Sequence, residues 1–197
     1  MMGNLFNVKK QLTFYGAYHD HPVNVAIHMI FVPTILWTAL VMATRVPTPS
    51  WFPDIHLVFN EYLAFDFNWP ALWAITTLAY YYVLEPTAAL LYTPEMVLIA
   101  LTSAAFAHKP DAVKVAGVVH VVSWIAQFIG HGAAEGRSPA LLDNLLGALV
   151  LAPFFVHLEI LFKLGYKPAL RDSIHQGVKA EIAKIKAAEA DGKKKSQ

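Results

Sequence analysis

The chain is expected to fold as an all-α integral membrane helical bundle of about four to six transmembrane or re-entrant helices. Three observations point there: 56% of its 197 residues are apolar and only 15% charged, the mean hydropathy is positive, and the apolar residues gather into runs of membrane-crossing length. Net charge is +1, which offers no electrostatic footing for nucleic acid. Cysteine is absent, so disulfides, thiolate metal sites and thiol nucleophiles are excluded, and His, Asp and Glu are left as the strong metal ligands.

The elements follow in order. Leu5 to Tyr18 is a short, mildly amphipathic helix, with Leu5, Val8, Leu12 and Tyr15 at helical spacing and Lys9 and Lys10 opposite, and it is expected to lie at the membrane interface. The first apolar run, Asn24 to Ala43, starts after some twenty residues, has no small-residue cleavage site after it and is followed by others, so it reads as a retained span. Thr44 to Asn68, with Arg45, Pro47, Pro49, Pro53 and many aromatics, is expected to be a connector.

Further apolar runs cover Trp69 to Leu84, Pro86 to Ala107, Val113 to Gly130 and Leu145 to Phe162. Glu85-Pro86 splits the second run from the third, and Tyr92-Thr-Pro94-Glu95 interrupts the third, which predicts a hairpin there. Lys and Arg cluster at both ends of the chain, placing both termini in the cytosol and requiring an even number of crossings. Four crossings satisfy that parity if Trp69 to Ala107 is re-entrant. Residues 1–168 form the membrane-embedded catalytic domain in this reading. Residues 169–197 form a soluble charged tail, a solvated helix carrying Lys179, Glu181, Lys184, Lys186 and Glu189 and ending in Lys194-Lys195-Ser-Gln, a dilysine pattern of the kind that retrieves proteins to the endoplasmic reticulum.

Two stretches carry the chemistry. In His19-Asp20-His21-Pro22, the proline suits a first helical turn, with His21 or Asp20 at the cap and His19 outside the helix. Asn24 and His28 then share a helix face. In an unbroken helix His19 and His28 would be separated by about 900° of rotation and face nearly opposite ways, so the break at Pro22 is what lets them share a site. In the second stretch Gln127, His131 and Glu135 fall at i, i+4 and i+8, along one stripe if a helix continues through Gly130 and Gly132.

Polar groups beside membrane-length apolar segments require a reason, and a buried metal site is the leading one. His19, His28 and His131, with Glu135 as an oxygen donor, make a nitrogen and oxygen shell that non-haem iron accepts and that zinc also accepts. His120 and His157 sit within apolar runs but lack partners at ligand spacing. His56, His108 and His175 fall in connectors or the tail and are expected to be solvated. Asp143 precedes the last apolar run and can cap its helix or orient a ligating imidazole.

At these residues the chain resembles the endoplasmic-reticulum 2-hydroxy fatty acid dioxygenases of fungi, which act in fatty acid α-oxidation during phytosphingosine breakdown. The resemblance runs from about Leu5 to Pro168. It rests on Phe14-Tyr-Gly-Ala-Tyr-His19 with Pro22, Asn24, His28 and Pro33, on Trp124-Ile-Ala-Gln-Phe-Ile-Gly-His131 with Glu135, and on Pro139-Ala-Leu-Leu-Asp-Asn144 through Ala152-Pro153-Phe-Phe and Phe162-Lys-Leu-Gly-Tyr.

The resemblance implies an Fe(2+)-dependent multi-pass enzyme of the endoplasmic reticulum membrane. It would use O2 to cleave a 2-hydroxy long-chain fatty acid to the acid one carbon shorter and CO2. His19, His28 and His131 are the iron ligands so implied; His120 and His157 receive no role. The expected site then comprises His19, His28, His131 and Glu135, with Asn24, Gln127 and Asp143 supporting the ligand imidazoles from behind. A di-iron hydroxylase or desaturase is disfavoured because no His-x-x-His-His box is present. A non-enzymatic membrane lipid-binding scaffold or a transporter is the alternative, although the few spans and the lack of an inverted repeat count against transport.

Overall fold

The computed structural model describes residues 5–136 and 145–195. Seven helices occupy them: α1 (Val8–Ala17), α2 (Pro22–Ala43), α3 (Trp69–Leu84), α4 (Pro86–Ala107), α5 (Ala112–Ile129), α6 (Leu145–Lys163) and α7 (Pro168–Lys195), with a π turn at Gly130–Glu135 continuing α5. The all-α reading holds, apart from one small sheet.

Among the described residues three segments are long and apolar enough to cross a membrane: Pro22–Ala43, Pro86–Ala107 and Ala112–Glu135. A fourth is reached only if Leu149–Lys163 and Pro168–Ala187, bent by 119°, count as one. At sixteen residues α3 is about 24 Å long, short of a hydrocarbon core of roughly 30 Å. Outward-facing Val118, Val122, Ile125, Phe128 and Ile129 leave α5 a large exposed apolar face, as lipid contact requires.

The starts of the helices are written in the sequence. Asn7 caps α1 through Lys10 N–H (3.0 Å), Asn68 caps α3 through Ala71 N–H (3.1 Å), and Pro22, Pro70 and Pro86 occupy first turns where a missing N–H costs nothing. Of the two residues weighed as cap of α2, His21 takes the role, its Nδ1 accepting Val23 N–H at 3.2 Å.

Pro94 does not interrupt the third run: α4 is continuous through it, and Thr93 is tied down by its hydroxyl bonds to the Ala89 carbonyl (2.8 Å) and to Tyr82 (2.9 Å). Inside an apolar bundle such neighbours compensate for what proline removes. The connector contains a two-stranded antiparallel sheet, β1 (His56–Asn60) and β2 (Leu63–Asp66), in which His56 pairs with Asp66.

The core lies where α2, α3, α4 and α6 meet. Tyr81 stacks on Phe154 (4.4 Å between centroids, 11°) beside Tyr92, Met96 and Leu158, all buried, and the Tyr81 hydroxyl donates to the Val150 carbonyl. The charged tail helix is solvated on its lysine and glutamate side only. Ile174 and Val178 are buried in the same core, and α7 lies along α1 at very short range. A Cβ on Gly16 would come within 2.7 Å of Val178, and one on Gly177 within 2.7 Å of the Thr13 hydroxyl. Thus α7 fixes α1, and α1 carries the approach to His19.

Glu85 ties the joints together. It caps α4 at Ala88 N–H (2.7 Å) and accepts hydrogen bonds from Tyr166 and Lys167, which stand in the turn between α6 and α7. Burial opposes its ionisation, but the Lys167, Tyr166 and Ala88 hydrogen bonds outweigh burial and hold its carboxyl below the ordinary 4.5.

Candidate metal centre

His19 stands between α1 and α2, His28 two turns into α2, and His131 in the π turn. Each has a ligand nitrogen, and these atoms all lie within 4.8 Å of one another. The rings are mutually edge-on, with centroids 4.3 Å (His19–His28), 4.8 Å (His19–His131) and 4.9 Å (His28–His131) apart.

Two of the tautomers are set by the backbone. His19 Nδ1–H donates to the Tyr15 carbonyl at 2.8 Å and His28 Nδ1–H to the Asn24 carbonyl at 2.9 Å. Both Nε2 atoms are therefore unprotonated in the neutral rings, yet they face each other at 3.0 Å. Two lone pairs at that separation call for a cation between them. Burial, reinforced by the neighbouring His28 imidazole, pushes His19 well below its ordinary 6.5, so a proton is disfavoured in that role. His131 Nδ1 is buried with no partner among the described residues. Three neutral imidazoles, two of them oriented by carbonyls behind, fit a transition-metal ion.

The surrounding residues hold this geometry. Tyr15 stacks on His19 (3.9 Å, 12°). Asn24, fully buried, serves His28 through its backbone carbonyl, while its side-chain amide donates to Glu135 Oε1 at 3.1 Å. Glu135 stands outside the group of three: the same Oε1 also accepts His21 N–H at 2.7 Å, so the carboxylate joins the π turn to the start of α2. Single π turns within α-helices are rare and frequently lie at functional sites. Here it presents Gly130 to α2, where a Cβ would meet Asn24 Oδ1 at 2.6 Å and Ile27 at 3.1 Å. The doubtful continuity at Gly130 is thus resolved as a π turn. Asp143 lies outside the described residues.

Gln127 is buried, and neither amide atom has a partner among the described residues; the buried Tyr15 hydroxyl has none either. Both line a cavity of about 440 Å³ that the three histidines also line. Its α2 wall is His28, Val32, Ile35, Leu36, Ala39, Leu40 and on to Ala43, a helical stripe about 22 Å long. Trp69, Trp73, Trp124 and Phe155 close other sides. The cavity is apolar except at its histidine end.

The remaining mid-span histidines are engaged elsewhere. His120 donates from Nδ1 to Thr38 (2.8 Å) and accepts Trp124 Nε1–H at Nε2 (2.9 Å), a polar link between α2 and α5. His157 lies by Glu95 (3.3 Å). His56 and His108 are half-exposed, as expected of solvated side chains, and in addition converge on Asp66. Ten and forty-two residues separate them from it, at spacings that carry no signal.

Fold and site together define a membrane-type helical protein able to hold a metal ion at the head of an acyl-sized cavity. Residues 5–164 match the family described as 2-hydroxy-palmitic acid dioxygenase Mpo1-like, and the chain belongs to that family, which makes it an enzyme of the dioxygenase class. It is 37% identical over 171 residues to the Saccharomyces cerevisiae protein named 2-hydroxy-palmitic acid dioxygenase MPO1, covering 86% of this chain and 88% of that one. No solved structure matches the chain.

Proposed function

We propose that the chain is an Fe(2+)-dependent dioxygenase that converts a 2-hydroxy long-chain fatty acid and O2 to the fatty acid one carbon shorter, CO2 and water, in the endoplasmic reticulum membrane with both termini cytosolic. The observation that carries this reading is the pair of unprotonated Nε2 atoms of His19 and His28, facing each other at 3.0 Å at the mouth of an apolar cavity. His19, His28 and His131 hold the iron. Bound there, iron would supply O2 activation and Lewis acidity toward the 2-hydroxyl and carboxylate.

The protein's own residues do the positioning. The Tyr15 and Asn24 carbonyls lock the imidazoles in the ligating tautomer. The Gln127 amide and Tyr15 hydroxyl, buried and without a partner among the described residues, hydrogen-bond the polar head of the acid, because leaving them empty in an apolar cavity is costly. The α2 stripe receives the alkyl chain and excludes water. Glu135 keeps the π turn seated on α2, and so keeps His131 against the other two. Residues 1–168 constitute the catalytic unit and residues 169–197 a charged segment whose helix packs on α1 at Gly177 and Val178.

The test is metal content of detergent-purified protein by elemental mass spectrometry, with O2 uptake on 2-hydroxypalmitate, for the wild type and His28→Ala. Near-stoichiometric iron and substrate-dependent uptake, both lost in the variant, are expected. Protein that stays metal-free after anaerobic Fe(2+) loading would return the histidines to packing roles and favour the lipid-binding scaffold. Comparable turnover of unhydroxylated palmitate would refute chelation through the 2-hydroxyl.

A further inference from the structure

We propose that His56, Asp66 and His108 form a second metal site, a zinc clamp that fastens the β-hairpin to the end of α4. His56 and Asp66 are cross-strand partners, so their side chains leave the same face of the hairpin. His108 is the residue that ends α4, which fixes its position against the sheet. The two imidazoles divide the carboxylate between them: His56 Nδ1 bonds Oδ1, and His108 Nε2 bonds Oδ2 at 2.8 Å. Their rings lie 4.9 Å apart and cross at 70°, close to the geometry of the three-histidine group.

The donor chemistry suits zinc. Two imidazole nitrogens and one carboxylate oxygen lie within 4.8 Å of one another, and ligands at about 2.0–2.2 Å from a tetrahedral ion are separated by roughly 3.4 Å, so each imidazole nitrogen has only to part slightly from its carboxylate oxygen, 2.8 Å away for His108, to admit the ion. Both histidines are half-exposed, which lets water take the fourth position and lets the ion enter from solvent. Nearby cations are directed elsewhere: Lys109 lies over the Tyr62 ring (5.4 Å) and Arg45 donates to the Ala107 carbonyl (3.2 Å). The pocket touching Asp66 holds only about 20 Å³, too small for a fatty acid, so the role is a fastening one and not a second reaction centre. This site stands at the end of the bundle away from His28 and does not depend on the dioxygenase reading.

The competing account is a carboxylate satisfied by two N–H donors with no ion. The full chain in detergent is loaded with Zn2+, freed of excess by desalting and analysed for zinc per chain, in the wild type and in a His19→Ala, His28→Ala, His131→Ala background. Adding His56→Ala with His108→Ala is expected to remove about one zinc per chain from both parents, and Asp66→Asn, which keeps the side-chain shape, to do the same with helical circular dichroism unchanged. Equal zinc with and without these residues, or zinc loss seen only where helicity is lost, overturns the proposal.

Discussion

The cavity makes a quantitative statement about chain length that a single substitution can test. Ala39 lines it eleven residues beyond His28, about 16 Å along α2, while the stripe runs on to Ala43 at about 22 Å. A saturated chain advances roughly 1.25 Å per bond, given C–C bonds of about 1.5 Å, so the fourteen bonds beyond C2 of a 16-carbon acid reach about 18 Å. Ala39→Phe therefore obstructs the last carbons of that chain and leaves a 12-carbon acid, reaching about 12 Å, untouched. Displacing two methylenes forfeits about 1.6 kcal/mol, and overpacking costs about 1–3 kcal/mol. At about 1.36 kcal/mol per decade, a loss of about 1–3 kcal/mol lowers kcat/KM for the 16-carbon 2-hydroxy acid about 5- to 160-fold, with the 12-carbon value expected within about threefold of wild type. The assay is O2 uptake across a series of 2-hydroxy acids of increasing length. A uniform loss at all lengths, or no loss at 16 carbons, would refute the assignment of this stripe as the acyl slot.

Gly130→Ala is expected to push Asn24 and Ile27 away and cost about 1–3 kcal/mol, with iron occupancy falling more than thermal stability as His131 is displaced; elemental analysis beside a melting curve checks it. Gln127→Ala should raise KM and lower kcat/KM at least tenfold while iron content stays unchanged, and loss of iron instead would make Gln127 a support of the histidines. Glu85→Gln weakens the link to Lys167 and Tyr166, and a loss of about 1–3 kcal/mol is expected in detergent melts. Because the folded carboxyl ionises below its ordinary 4.5, its contribution is complete above about pH 4.5 and drains away as pH falls through the lower folded value. The acid limb of the wild-type stability profile should therefore flatten in Glu85→Gln. Gly177→Val should drive α7 off α1 through Thr13, lowering iron occupancy although it touches no histidine.

The membrane-type helices, their proline starts and the three histidines were legible because each has a local cause: apolar length, a residue without an N–H, or a ligand-type side chain where water is scarce. The break at Pro22 even predicts how His19 and His28 can meet. Other features are set by packing across the bundle. Nothing local distinguishes Pro94, which α4 absorbs, from a proline that ends a helix. Glu135 falls on the stripe of Gln127 and His131 only for a straight α-helix, and the π turn hands it to His21 and Asn24. Ile174 and Val178 are sparse apolar residues in a charged tail, and their burial depends on two glycines that let α1 and α7 touch.

The π turn also makes the length of its segment a property in its own right. Bonding from i to i+5, it holds one more residue than an α-turn would. Removing Ala133 alone would delete none of the three histidines and none of the partners of Glu135. It would still let the segment relax to an α-helix and swing Glu135 by about 100° from the N–H it caps. Between Gly130 and Gly136, then, the protein should accept many exchanges of side chain and no insertion or deletion, so its relatives should be sorted at this point by spacing before they are sorted by residue.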